Sequence, residues 1–315
     1  CIIATGEPFV LFKYASKLNS KFNIPWIADY RDPWTQSSAR SKIFLYKAFN
    51  SCIEKQILKS VSKITTVSDF SKSKIETLVK DTEFQIISNG YDSSLVQNIS
   101  INDQSTDILT LGFVGTIYPW HPMKSILEVV SEVLQLGLQI KLEFYGVNIE
   151  NSINDWIEND YPNLKDSVVV IPRIPNEKLL KRLAKSNALL LVNDYSIMGT
   201  KIFDYLGLQR RIIFCYSNDE ESILLKQKFY CVEEYETYSN TLQEDLIKET
   251  NSGVIVKNKA HLKEVLVDLH AEFKEKGFLS CDSLGFEKYS RKVQAENLVK
   301  VIDKLIINKN NANPQ

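Results

Sequence analysis

No run of apolar residues in the chain approaches the roughly 20 needed to span a bilayer as a helix. Nor does its start combine a basic segment with a signal-type hydrophobic stretch. The sequence therefore reads as a soluble, cytoplasmic protein, with the inner face of the membrane as an alternative place of work. An excess of one charge is missing too. Lysine plus arginine (38) nearly cancels aspartate plus glutamate (39), so no net basic field attracts nucleic acid or anionic lipid over long range. Histidine is scarce, and His121, His261 and His270 stand far apart. The five cysteines (Cys1, Cys52, Cys215, Cys231, Cys281) lack the short paired spacings of zinc sites and redox motifs and are read as reduced thiols. Neither a metal centre nor a cofactor is expected. A P-loop, a nucleophile elbow, a Ser-His-Asp ordering and an internal repeat are all absent, which removes support for ATPase and hydrolase readings.

What is present is alternation. Short β-branched runs are followed by longer amphipathic stretches, the pattern of parallel sheets covered by helices, so the fold class is α/β. In a first series the predicted strands are 1–4, 24–28, 63–67 and 84–87, with helices at 9–21, 42–60 and 69–80. A polar stretch at 98–107 has linker composition and separates this series from a second one. There the predicted strands are 108–114, 139–145, 168–171, 188–192 and 211–215, with helices between them. The expected organisation is a partial first domain at 1–97, a linker at 98–107 and a doubly wound domain at 108–280. A closing helix with a frayed tail occupies 281–315. The first series is short for a full doubly wound domain, and the chain opens on Cys1 inside an apolar run, so the first domain is expected to be truncated at its N-terminus.

In open α/β sheets ligands collect beyond the carboxyl ends of the strands, and three post-strand segments carry suitable residues. In Gly112-Phe-Val-Gly-Thr-Ile-Tyr-Pro-Trp-His-Pro122, Gly115 lets a ligand approach the backbone, although a tight turn would explain it equally. His121 is the one histidine in such a loop. In Asn193-Asp-Tyr-Ser-Ile-Met-Gly-Thr-Lys-Ile-Phe-Asp204, a helix starts near Thr200. Its first N–H groups and Lys201 suit a diphosphate, and Asp204 can accept from ribose hydroxyls. The alternative is a capping Thr200 and a surface Lys201–Asp204 pair. In Asp29-Tyr-Arg-Asp-Pro-Trp34, Asp29, Arg31 and Asp32 can orient an acceptor hydroxyl or supply a base, with Trp34 flooring a sugar. A structural Arg–Asp pair is the competing explanation. Ser88-Asn-Gly-Tyr-Asp92 reads as a turn.

At these motifs the chain resembles the retaining GT-B glycosyltransferases of family 4 (group 1 type), which include glycogen-synthase-like and bacterial polysaccharide and lipopolysaccharide enzymes. The pieces that carry the resemblance are Ile24–Trp34, Ser88–Asp92, Gly112–Thr116 and Gly199–Leu206, in that order along nearly the whole chain. The resemblance implies two Rossmann-like domains facing across a cleft and transfer of a sugar from a nucleotide-diphosphate sugar to an acceptor hydroxyl, with retention and without a metal. It implies a role in surface polysaccharide or glycoconjugate synthesis. The acceptor would be a saccharide or lipid-linked saccharide, with peripheral membrane association and no nucleic acid among the partners. It puts Gly115 and Thr116 at the donor cleft, Gly199, Thr200 and Lys201 at the diphosphate, and Asp204 in place of the usual ribose-binding glutamate. Asp29, Arg31 and Asp32 would meet the acceptor. The chain departs from the family's two-glutamate pattern, because the position eight before Asp204 is Ser196, and Asp194 is read as the compensating carboxylate. A nucleotide-sugar 2-epimerase shares the same architecture, with His121 as its histidine. A non-catalytic binding or scaffold protein of the same fold is the third reading.

Overall fold

The computed structural model describes residues 1–36, 44–80, 82–194, 198–217, 220, 222–225 and 241–312. Ser196, Cys231 and the start of the helix expected at 42–60 lie outside the described residues. The chain forms two compact units, with the first change of unit between Gly90 and Tyr91 and another between Ser290 and Arg291.

In the first unit, β1 (Ile2–Gly6), β2 (Trp26–Tyr30), β3 (Lys63–Thr66) and β4 (Phe84–Ile86) form a parallel sheet in sequential order. Between them run α1 (Val10–Phe22), α2 (Phe44–Leu58) and α3 (Asp69–Glu76). The α3 helix starts where a side chain captures an orphan donor: Ser68 Oγ accepts from Ser71 N–H at 3.2 Å. Phe12, Trp26, Tyr30, Leu58, Ile64 and Ile75 make the core. β2 runs two residues further than its apolar stretch suggested, so Asp29 and Tyr30 lie inside the strand rather than after it.

Tyr30 explains part of that extension. Its hydroxyl donates to Oε1 of the fully buried Glu54 on α2 at 2.7 Å, while Glu54 Oε2 accepts from Thr35 N–H and Oγ1 and from Gln36 Nε2. Burial raises the Glu54 carboxyl above the usual range, although the hydrogen bonds from Thr35, Tyr30 and Gln36 pull it down. A carboxyl with a raised folded pKa contributes most to stability below its unfolded value of about 4.3, and that contribution is lost as pH rises through the folded value. Glu54→Gln is therefore expected to gain on the parent protein across that window and to be about 1 kcal/mol or more ahead at neutral pH. Urea midpoints at pH 4 and pH 7 check this, and a variant with no pH-dependent advantage would contradict it.

The second unit contains β5 (Leu109–Val114), β6 (Ile140–Tyr145), β7 (Val168–Ile171), β8 (Ala188–Val192), β9 (Arg211–Cys215) and β10 (Gly253–Ile255). They are parallel, in the order β10-β9-β8-β5-β6-β7, which is the doubly wound nucleotide-binding order with its switch between β5 and β8. Helices in this unit are α4 (Ser93–Val96), α5 (Met123–Gln135), α6 (Glu150–Asn159), α7 (Asn176–Leu183), α8 (Lys201–Leu208), α9 (Leu242–Thr250) and α10 (Lys259–Lys276). Strand alternation divides the apolar residues: Leu109, Leu111, Phe113, Leu190 and Val192 join α5 and α10 on one face, while Leu189 and Leu191 join α7 and α8 on the other.

The polar stretch 98–107 belongs to this unit rather than standing between units. Gln104 is buried, donates to Leu279 O at 2.8 Å and accepts from Leu279 N–H and Asn187 Nδ2. The apolar stripe expected along one final helix also divides. Phe286 and Tyr289 lie in a 3-10 turn packed on the second unit's core, and the helix proper, α11 (Arg291–Ala312), belongs to the first unit. Within that unit, Gln294 Oε1 accepts from Ser88 N–H at 3.1 Å and Arg291 Nε donates to Gly90 O at 3.0 Å. Tyr91 and Ser290, at the two margins of the second unit, pair as a parallel bridge. Among the described residues no helix is long and apolar enough to cross a membrane.

Candidate functional site

At the switch point of the six-stranded sheet, the loops after β5 and β8 meet. Gly115 follows β5 directly with φ +88°, a backbone conformation that disfavours any Cβ, and its N–H donates to Tyr145 O at 2.9 Å. Lys201, the first residue of α8, crosses to this loop. Its ammonium donates to Thr116 O at 3.3 Å and lies 5.2 Å from the Phe113 ring centroid. The lysine stem runs so close over Gly115 that a Cβ there would sit 2.8 Å from Lys201 Cε. Burial lowers the Lys201 pKa from the ordinary lysine range, and the charge of Asp194 partly opposes the shift. A helix N-terminus, a half-buried cation and a glycine turn thus converge beyond the carboxyl ends of β5 and β8, a combination whose electrostatics favour an anion.

Asp194, two residues past β8, organises the other side. Its Oδ1 is 2.7 Å from His121 Nε2 and accepts from Trp120 Nε1 at 3.3 Å. Because His121 Nδ1 accepts from Tyr118 N–H at 3.3 Å, Nε2 is the nitrogen left to donate to Asp194. His121 is buried, with both ring nitrogens engaged by the protein. It holds the β5 loop in shape rather than presenting a free nitrogen. Asp194 N–H donates to Oε1 of the buried Gln243 at 3.0 Å. Asn148 closes the loop from below, accepting from Ile117 N–H at 2.7 Å and donating to its carbonyl at 3.2 Å. Neither Gln243 nor Asn148 carries a sequence signal that would have selected it.

The structure thus brings Gly115, Thr116, His121, Asp194 and Lys201 together. Thr200 differs from the capping alternative: its backbone is already helical and its side chain makes no cap bond. Among the described residues, nothing lies within 4 Å of a Cβ at Gly199. Asp204 is half-buried on α8. Among the described residues, no three or more His, Cys, Asp or Glu side chains are gathered as metal ligands.

The first unit's cluster has a different character. Asp29 is buried, and its carboxylate accepts from Thr65 Oγ1 at 2.8 Å, Thr5 Oγ1 at 3.1 Å and Arg31 Nε at 3.1 Å. Those bonds tie together β1, β2 and β3 and satisfy a charge that burial would otherwise penalise. Trp34, expected to floor a sugar, stacks on Phe9 with centroids 5.0 Å apart and planes 3° from parallel. Arg31 is partly exposed and Asp32 exposed, and these two carry the accessible polar groups of the segment.

No protein-family model matches the chain, and no curated protein matches it by sequence. Solved structures do match its fold. Sucrose-phosphate synthase from Thermosynechococcus elongatus aligns with TM-score 0.63 at 15% identity, covering 97% of this chain and 73% of that one. The Anabaena HepE protein, solved in complex with UDP, aligns with TM-score 0.63 at 9% identity over 96% and 79% of the two chains. A putative UDP-N-acetylglucosamine 2-epimerase from Listeria monocytogenes aligns with TM-score 0.56 at 11% identity over 97% and 74%. The chain has the α/β GT-B fold, built from two Rossmann-like units.

Proposed function

We propose that the protein is a glycosyltransferase that binds a nucleotide-diphosphate sugar in its second unit and transfers the sugar to an acceptor hydroxyl. One observation carries the reading: Lys201, at the start of α8, reaches Thr116 across Gly115 at the sheet's switch point. A diphosphate placed there would meet a helix N-terminus and a full positive charge, which neutralise the leaving group without calling on a metal. Asp204, on the same helix, is assigned the ribose hydroxyls. Fold likeness to sucrose-phosphate synthase and to HepE with UDP supports the same class and puts UDP first among the nucleotides to test.

Retention of anomeric configuration, and a saccharide or lipid-linked saccharide acceptor in surface polysaccharide synthesis, complete the proposal. Arg31 and Asp32 would meet that acceptor, with Asp29 holding Arg31 in place. Peripheral membrane association is supported by α1, which exposes Tyr14, Leu18 and Phe22 beside Lys13, Lys17 and Lys21 and contains no acidic residue. The epimerase reading shares this fold but needs a histidine at the donor sugar, and both nitrogens of His121 are already engaged.

Calorimetric titration with UDP, GDP and ADP tests the donor site. One nucleotide is expected to bind, and Lys201→Ala combined with Asp204→Ala to weaken it about 100-fold, as loss of charge-assisted bonds implies. Unchanged affinity in the variant, or no binding by a folded parent protein, would refute the assignment. Binding without sugar transfer to any acceptor would favour the scaffold reading.

A further inference from the structure

The loop that carries Thr116 ends in an aromatic stack whose members are exposed to different degrees. Tyr118 and Trp120 lie face to face, with centroids 4.7 Å apart and planes 2° from parallel, and His121 meets both rings edge-on at 89°. Trp120 and His121 are buried and are fastened to Asp194, whereas Tyr118 keeps 39% of its surface exposed. A lone surface tyrosine would be mobile. This one is backed by a second ring, with its backbone N–H held by His121, so the phenol presents a fixed flat apolar surface.

We infer that Tyr118 is a platform for the pyranose ring of the sugar being transferred, stacking on its C–H face and so helping to select a hexose-bearing donor. This rests on the donor-site reading above. Position decides between sugar and base. Lys201 Nζ sits at the Thr116 carbonyl, and Tyr118 is two residues further on, so its Cα is within about 8 Å of the Thr116 Cα. A hexose is bonded directly to the diphosphate, whereas a nucleobase is a whole ribose further away. A hexose joined through a single ester oxygen to a phosphate at Lys201 is therefore the ring within reach of Tyr118, and the nucleobase is not.

The test compares each nucleoside diphosphate with its hexose conjugate (UDP with UDP-glucose, GDP with GDP-mannose, ADP with ADP-glucose) by calorimetry on the full chain. The parent protein is expected to bind the conjugate more tightly than the bare diphosphate. Tyr118→Ala should weaken the conjugate about 3- to 10-fold, the size of an aromatic stacking contribution, and leave the diphosphate within about 2-fold. Tyr118→Phe, which keeps the ring, should retain the preference, and thermal melting confirms that both variants fold. Equal losses for conjugate and diphosphate would place the platform elsewhere in the ligand and overturn the inference. No loss for either, or no preference in the parent protein, would overturn it as well. Failure of all three diphosphates to bind the parent protein would sink the donor site itself. Binding that is intact and indifferent to Tyr118→Ala sinks the platform alone.

Discussion

Replacing Arg210 with methionine is expected to cost the second unit about 3–5 kcal/mol of stability. Arg210 follows α8 and is buried, with only 1% of its surface exposed. Its guanidinium is shared among carbonyls: Nε and Nη2 donate to Ala184 O at 2.8 and 2.6 Å, Nη2 to Ser100 O at 2.7 Å, and Nη1 to Leu208 O at 3.2 Å. Ala184 caps α7 and Leu208 ends α8, where carbonyls lack intrahelical partners and the helix dipole is negative, so one cation satisfies two helix ends. Methionine fills much of the volume but leaves those carbonyls dry and unpaired. Lysine restores the charge but not the fork, so Arg210→Lys should recover only part of the loss. Urea unfolding of the three proteins, followed by far-ultraviolet circular dichroism, measures the difference. A methionine variant within about 1 kcal/mol of the parent would mean that water or a relaxed backbone takes over the carbonyls.

Gly115→Ala should reduce nucleotide affinity at least about 10-fold, or roughly 1.4 kcal/mol of binding. Two effects combine at this position. An alanine pays about 1–2 kcal/mol to hold φ near +88°. Its methyl would also occupy the space of Lys201 Cε, and because that is the far end of a flexible chain, the ammonium gives way and leaves Thr116. The stability cost and the binding cost can be separated with Gly137→Ala. Gly137 has φ +85°, and among the described residues nothing lies within 4 Å of a Cβ there. That control should lose comparable stability and keep the parent affinity. If Gly115→Ala binds nucleotide as the parent does, the glycine serves only its turn, and the contact with Lys201 has no part in binding.

The strands at Val168–Ile171, Ala188–Val192 and Arg211–Cys215 are legible in the sequence to the residue, because each is a short, mainly apolar run set between amphipathic helical stretches. The α/β class follows from the same periodicity. What is not legible depends on partners distant in sequence. Asp29 looks like a post-strand catalytic carboxylate until Thr65, on the neighbouring strand, is seen to bind it. The stretch 98–107 looks like a linker because its composition is polar, yet its polar groups are consumed by Arg210 and Asn187. Gln243 and Glu54 give no local sign that a backbone amide or a tyrosine hydroxyl will need them. Periodicity reports which face of an element is apolar, and it is blind to which buried polar group that face must satisfy.

The bridge between Tyr91 and Ser290 bears on how the gene for such a protein can be rearranged. Among the described residues the first unit is interrupted after Gly90 and resumed at Arg291, and the second unit's margins at those two points are residues that pair. An insertion whose ends are neighbours asks its host to part by no more than the width of a strand pair, about 5 Å. Such a unit can be exchanged for another with similarly adjacent ends, or joined end to end and reopened at a different loop, without redrawing either sheet. The paired margins thus make the second unit a replaceable cassette within a host unit that regains the chain with α11.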